Sequence, residues 1–224
     1  MDLLSGTSNA GILLDLCGGL ILLCCFACLG SKLFNRYIAY YGAQSIILSV
    51  ATGVVAWHFD RVELWVLAVL TLAIKGIAIP TAARQMLLRR LELKRDVALS
   101  TGLSTSILVG GVLTVFAYLV TRPQNLPAGL TASAVVPIST AVILLGALTM
   151  VLRRHTVAQL IGWLILENGV FLGAITLAAT FPFIIEAGIF LDLVAGVLIM
   201  LVFVSGLTHQ LAHATADELR GLRG

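Results

Sequence analysis

Residues 142–174 read VILLGALTMVLRRHTVAQLIGWLILENGVFLGA, two apolar runs separated by Arg153 and Arg154. Each run belongs to an apolar stretch of about 20 residues, the length that an α-helix needs to cross a bilayer. The whole chain has this character: 59% of its 224 residues are hydrophobic and only 11% are charged. Its mean hydropathy is +1.05. A soluble domain needs far more polar surface, so the sequence predicts an all-α integral membrane protein.

The polar breaks between the apolar stretches predict seven transmembrane helices. Their approximate ranges are 11–31, 37–57, 62–83, 101–121, 131–152, 157–180 and 184–208. A proline-containing loop at 122–130 separates a four-helix part, 1–121, from a three-helix part, 131–224. Pro80 and Pro137 lie within or near helix ends, where they are expected to kink the helix. The first ten residues contain no Lys or Arg. They do not resemble a secretory signal, and the first hydrophobic segment is expected to be retained.

The basic residues predict the orientation of the bundle. Eleven of the fourteen Lys and Arg residues follow the odd-numbered spans and therefore lie on one side. Short cytoplasmic loops collect such residues, so the N-terminus is predicted outside and the C-terminus in the cytoplasm. The charged run at 87–96 is predicted to be a solvated connector, with binding to anionic lipid or a partner as the alternative. Nucleic-acid binding is not supported, because the basic residues have no interleaved aromatic platforms.

Four ionisable residues lie within or at the edge of the predicted spans: Lys75, Glu167, Glu186 and Asp192. A charge near the bilayer centre costs about 3 kcal/mol or more, so it tends to persist where it faces protein or water. Lys75, Glu167 and Asp192 are predicted near mid-bilayer, where they can meet and titrate as a coupled set. Glu186 is predicted about one turn inside the outer surface. The alternative is a structural ion-pair network that fixes helix register without moving ions.

Other polar residues in the spans are weaker candidates. The four cysteines, Cys17, Cys24, Cys25 and Cys28, all fall in the first span and are predicted to be packing residues, with metal binding as the alternative. Gln44 is predicted to bridge helices, and Asp15 lies near the outer end of its span. Glycines along the sixth and seventh spans are predicted to permit close helix approach or to leave space for water.

The three-helix part resembles subunit K of respiratory complex I and the C subunit of Mrp-type cation/proton antiporters. The resemblance rests on residues 142–174, on Asp192 four residues before Gly196, and on the tail TADELRGLRG. It implies mid-membrane carboxylates on the second and third helices of this unit, forming part of a hydrophilic axis for proton movement. Asp192 matches the third-helix position. Glu167 lies about three residues beyond the usual glutamate, which is one turn along nearly the same helix face.

The segments YYGAQSIILS, IKGIAIPTAAR, GWLILENG and EAGIFLDLVAGVLIM resemble the E component of hydrogenase-4, a membrane subunit of formate-hydrogenlyase-type complexes with group 4 [NiFe]-hydrogenases. The resemblance implies a non-catalytic subunit in the bacterial inner membrane with no cofactor of its own. Nickel-iron and iron-sulfur centres are then expected only in hydrogenase-type peripheral subunits. Antiporter-like proton-channel subunits and an H-like membrane subunit, similar to its complex I counterpart, are the expected membrane neighbours. The alternatives are a purely structural adaptor and a subunit of an Mrp-like antiporter without redox partners.

Overall fold

The computed structural model describes residues 9–31, 33–89, 102–121, 134–153 and 156–177, with the backbone alone at 86–89, 156–157 and 177. The helical elements of these ranges are α1 (Asn9–Gly30), α2 (Phe34–Phe59), α3 (Val62–Thr71), a π-helical segment (Leu72–Ala78), α4 (Ile79–Arg89), α5 (Leu103–Val120), α6 (Val135–Leu152) and α7 (Thr156–Leu177).

The helices confirm the first six predicted spans. Six stretches are long and apolar enough to cross a membrane, and one of them, Val62–Gln85, runs through α3, the π segment and α4. The second helix is longer than expected, because Phe34–Phe59 extends the predicted 37–57 at both ends. The predicted seventh span at 184–208 lies outside the described residues, as do Glu186 and Asp192.

Helix α2 is the central element of the described bundle. It contacts α1, α3, the π segment, α4 and α7, while α6 contacts α1, α5 and α7. Helix α5 packs mainly against α6 and leaves much of its apolar surface exposed, including Leu108 and Val112. Exposed Leu and Val are expected on helices whose outer faces meet lipid. Polar side chains are instead buried on α2 and α7.

Glycines hold α6 and α7 at a close backbone approach. A Cβ added at Gly146 of α6 would lie 2.5 Å from the backbone nitrogen of Leu166 on α7. Added Cβ atoms at Gly162 and Gly169 would lie 2.9 Å from the backbone nitrogen of Met150 and 2.8 Å from that of Ile143. The close approach predicted for the α7 glycines is therefore confirmed at these two positions. The fixed spacing also sets where Glu167, next to Leu166, can point.

The π segment lies immediately before Pro80. Proline has no N–H to donate, and its ring crowds the carbonyl four residues earlier, which here belongs to Gly76. The backbone N–H of Ile79 bonds to the carbonyl of Ile74, five residues back. The helix thus continues past Pro80 by widening one turn. Gly42 of α2 makes room for this wider turn, because a Cβ there would lie 3.2 Å from the Pro80 ring.

Arg153, at the end of α6, is buried against the end of α1. Its side chain is 1% exposed, and its guanidinium donates to the backbone oxygens of Cys28, Leu29 and Ser31 at 2.9–3.1 Å. From the sequence this residue was expected in a loop as a marker of orientation, and the structure adds that it caps the final carbonyls of α1. Burial lowers the pKa of the Arg153 guanidinium from its ordinary value. The first and fifth spans therefore end on the same side, as the alternation of loops requires.

Candidate functional site

Lys75 and Glu167 form a buried ion pair. The Nζ atom of Lys75 lies 3.4 Å from Oε1 of Glu167, and each side chain is 2% exposed. Glu167 is at the centre of the Ala158–Thr176 span, and Lys75 is near the middle of Val62–Gln85. The pair therefore joins the third and sixth spans about halfway through each helix.

The π segment and α7 together position the lysine. Lys75 is the fourth residue of Leu72–Ala78, where the widened turn directs the side chain into the bundle. Its ammonium also lies 5.6 Å from the centroid of the Phe171 ring, one turn beyond Glu167 on α7. The face of an aromatic ring attracts a cation, especially where water is excluded. Lys75 thus has a carboxylate and an aromatic face as neighbours, both supplied by α7.

A network of uncharged polar side chains lies beside the ion pair. Nδ2 of Asn168 donates to Oε1 of Gln44 at 3.4 Å and to Oγ of Ser45 at 3.2 Å. Nε2 of Gln44 donates to the Cys25 sulfur at 3.0 Å. Asn168, Gln44 and Ser45 are all fully buried. The network connects α7 through α2 to α1, which confirms the helix-bridging role predicted for Gln44.

The ion pair and the amide network lie at one level of the bundle. A Cβ added at Gly76, next to Lys75, would meet the Ile46 side chain at 3.3 Å, and Ile46 is adjacent to Ser45 on α2. On α7, Asn168 directly follows Glu167. We call the set formed by Lys75, Glu167, Asn168, Gln44 and Ser45 the polar layer, and the five residues cross the bundle from the π segment to α2.

The chemistry of the polar layer is the binding and release of protons. Two opposite charges removed from water stabilise each other but still carry a desolvation cost, so the state of one depends strongly on the other. The amides and the hydroxyl orient hydrogen bonds and carry no net charge. Within the described ranges, no group of three or more His, Cys, Asp or Glu residues is placed to hold a metal ion.

Part of this site could be anticipated from the sequence. Lys75 and Glu167 were predicted at similar depths, and the structure brings them together. Gln44 and Asn168 were also singled out, but Ser45 was not, although a serine beside Gln44 within an apolar helix could have indicated it. The two other predicted relay residues, Asp192 and Glu186, fall in the part of the chain that is not described.

Comparison with known proteins found two kinds of relative. The chain is 30% identical over 189 residues to the uncharacterized protein Rv0085 of Mycobacterium tuberculosis, and the match covers 84% of each chain. It is 22% identical over 209 residues to hydrogenase-4 component E of Escherichia coli K12, covering 92% of this chain and 95% of that protein. The same values hold for hydrogenase-4 component E of Shigella flexneri. No family model and no solved structure matches the chain significantly.

Proposed function

The chain belongs to the same family as the Mycobacterium tuberculosis protein Rv0085, and from this premise and its similarity to hydrogenase-4 component E we propose a role as a membrane subunit of a hydrogenase-type complex. In this role the chain is not itself an enzyme. It lies in the membrane arm between antiporter-like proton-channel subunits and the subunit that holds the peripheral hydrogenase-type subunits. The nickel-iron and iron-sulfur chemistry belongs to those partners.

The Lys75–Glu167 pair is the observation that carries the proposed mechanism. A structural contact between helices can be made by apolar side chains at lower cost than by two desolvated charges. Ionisable groups kept at mid-membrane are therefore candidates for a role in moving charge. The pair is fully buried and central to two spans, which is the placement that a relay across or along the membrane requires.

The mechanism follows from the coupling of the two charges. A proton that binds Glu167 removes the negative partner of Lys75, so the ammonium then interacts more strongly with other groups around it. A charge that moves in a neighbouring subunit changes the balance in the opposite sense, and Glu167 releases its proton. We propose that Asp192 and Glu186 extend this relay through the C-terminal part of the chain. The coupled sites thus pass a protonation change sideways through the membrane arm.

A structural adaptor is the second candidate, since the same ion pair and amide network also bind α7 to the π segment and α2. Charge-neutral substitutions separate the two functions. Glu167→Gln and Lys75→Met each leave one buried charge uncompensated, whereas the double variant Lys75→Met/Glu167→Gln removes both charges and keeps the side-chain volumes similar. Glu63→Gln is the matched control, because Glu63 is an exposed carboxylate at the start of α3.

The experiment measures electron transfer and proton translocation by the purified complex in proteoliposomes. For the relay, the double variant assembles and transfers electrons at the wild-type rate, but proton translocation falls at least tenfold. The Glu63→Gln control retains both activities. Normal translocation by the assembled double variant would refute the relay and favour the adaptor.

The partners are tested separately by purifying the tagged chain and identifying the co-purifying proteins by mass spectrometry. Membership in a hydrogenase-type complex predicts stoichiometric antiporter-like subunits together with subunits that carry nickel-iron and iron-sulfur ligand motifs. Recovery of antiporter-like subunits alone would contradict that membership and support an antiporter without redox partners. The result does not depend on whether Glu167 moves protons.

A further inference from the structure

Asn168 has one end of its amide group unused in the described part of the bundle. Its Nδ2 donates to both Gln44 and Ser45, but its Oδ1 is buried and has no hydrogen-bond partner among the described residues. Rotating the amide by 180° would only exchange the two atoms, since Nδ2 would then be the end that points away. In either orientation, a fully buried polar atom faces a position where a hydrogen-bonding group is expected.

Ser45 supplies a second unused group at the same place. Its Oγ accepts a hydrogen bond from Asn168, and the same hydroxyl also has a proton to donate. Within the described residues, no acceptor of that proton is found. A donor and an acceptor thus lie side by side on two helices, and the charged Lys75–Glu167 pair lies at the same level.

We propose that an ordered water molecule occupies this position, accepting from the Ser45 hydroxyl and donating to Oδ1 of Asn168. Buried waters typically make about three hydrogen bonds to polar groups that the protein leaves unsatisfied, and the polar layer provides such groups. Amides orient hydrogen bonds but do not readily pass a proton, whereas a water and a hydroxyl can do both. The water therefore supplies the mobile element that the amide network lacks.

The water site deepens the proposed function and in that sense rests on it, because a relay through the polar layer needs a group that both donates and accepts. Its existence is nevertheless tested without any measurement of proton movement. The experiment is cryo-electron microscopy of the purified complex, in sodium-containing and sodium-free buffer, at a resolution that shows ordered waters. We expect a spherical density within hydrogen-bonding distance of Asn168 and Ser45 in both buffers.

Ser45→Ala and a matched control make the assignment specific. Ser45→Ala removes the donor with little change in volume, and the density is expected to disappear or to move away from Asn168. The control is Ser49→Ala, one turn further along α2, because the Ser49 hydroxyl donates to the carbonyl of Ala68 and lies outside the polar layer. The density is expected to remain in this control.

Three results would overturn the proposal. The position is empty in the wild-type map, a side chain from elsewhere in the complex occupies it, or the density requires sodium and has the shorter contacts of a bound cation. A water that is present while the Lys75→Met/Glu167→Gln complex still translocates protons would retain the site and refute the relay. The two proposals therefore fail by different observations.

Discussion

The guanidinium of Arg153 lies 5.2 Å from the centroid of the Tyr37 ring, and this stacked pair joins the end of α6 to the start of α2. The Tyr37 hydroxyl continues the contact by donating to the carbonyl of Ala158 on α7 at 3.3 Å. Together with the bonds from Arg153 to the end of α1, the pair connects four helices at one end of the bundle. It therefore fixes the helix ends, whereas the polar layer joins helices near their middle.

Replacing Arg153 is expected to destabilise the protein strongly. Arg153→Gln leaves carbonyls at the end of α1 without their charged donor, and each unsatisfied buried group costs about 1–3 kcal/mol. Arg153→Lys is expected to rescue little, because an ammonium lacks the planar group that stacks on Tyr37. The measurement is thermal unfolding of the purified chain in detergent. Arg84→Gln, which changes an exposed arginine, is the control and is expected to unfold as the wild type does.

Adding one methyl group at Gly146 is expected to disturb both stability and the ion pair. The new Cβ would collide with the backbone of Leu166, the residue before Glu167, so α7 must shift. Overpacking of this kind costs about 1–3 kcal/mol. Gly111→Ala on α5 is the matched control, since a Cβ there meets nothing within 4 Å. Equal unfolding temperatures for the two variants would contradict the close approach of α6 and α7.

Hydropathy predicted the spans well because a fixed bilayer thickness sets a fixed helix length. The depth of Lys75 and Glu167 could be counted in the same way, from the loops at each helix end. Which face of a helix meets a neighbour could not be predicted so readily. Lipid and protein interior are both apolar, so helices such as α1 and α6 show no polar face that would reveal their orientation.

The buried position of Arg153 shows a second limit of the sequence. Two adjacent arginines after an apolar run indicate a cytoplasmic loop, and that pattern does not distinguish an arginine in water from one that caps another helix. The π segment was likewise not predicted, although Gly76 and Pro80 in one apolar run predicted an irregular helix. Its form depends on Gly42, which lies more than 30 residues earlier in the chain and becomes a neighbour only in the fold.

Two tryptophans are predicted to lie at a membrane surface. Trp57, near the end of α2, is 73% exposed, and Trp65, near the start of α3, is 47% exposed. Tryptophan favours the region of the lipid headgroups. In the Trp163→Phe variant, which leaves only these two, brominated lipids should quench fluorescence best when the bromine is close to the headgroup. Stronger quenching by bromine at the acyl-chain ends would place the α2–α3 corner too deep and contradict the predicted span boundaries.

The number of crossings and the orientation of the chain are tested together by reporter fusions. The sequence predicts an outside N-terminus and seven crossings, which places the C-terminus in the cytoplasm. A fluorescent protein fused after Gly224 should therefore fluoresce, and alkaline phosphatase at the same position should be inactive. Alkaline phosphatase inserted in the 122–130 loop should be active, and the same enzyme inserted at 90–96 should not.

The combination of fusions distinguishes the possible errors. If the C-terminal part does not cross the membrane, the two loop reporters keep their predicted states but the C-terminal reporter reverses, because an even number of crossings places both termini outside. If the orientation is inverted, all the reporters reverse together. Reversal of the C-terminal reporter alone would remove Asp192 from the membrane interior. The relay would then depend on Lys75 and Glu167 without the second mid-membrane carboxylate.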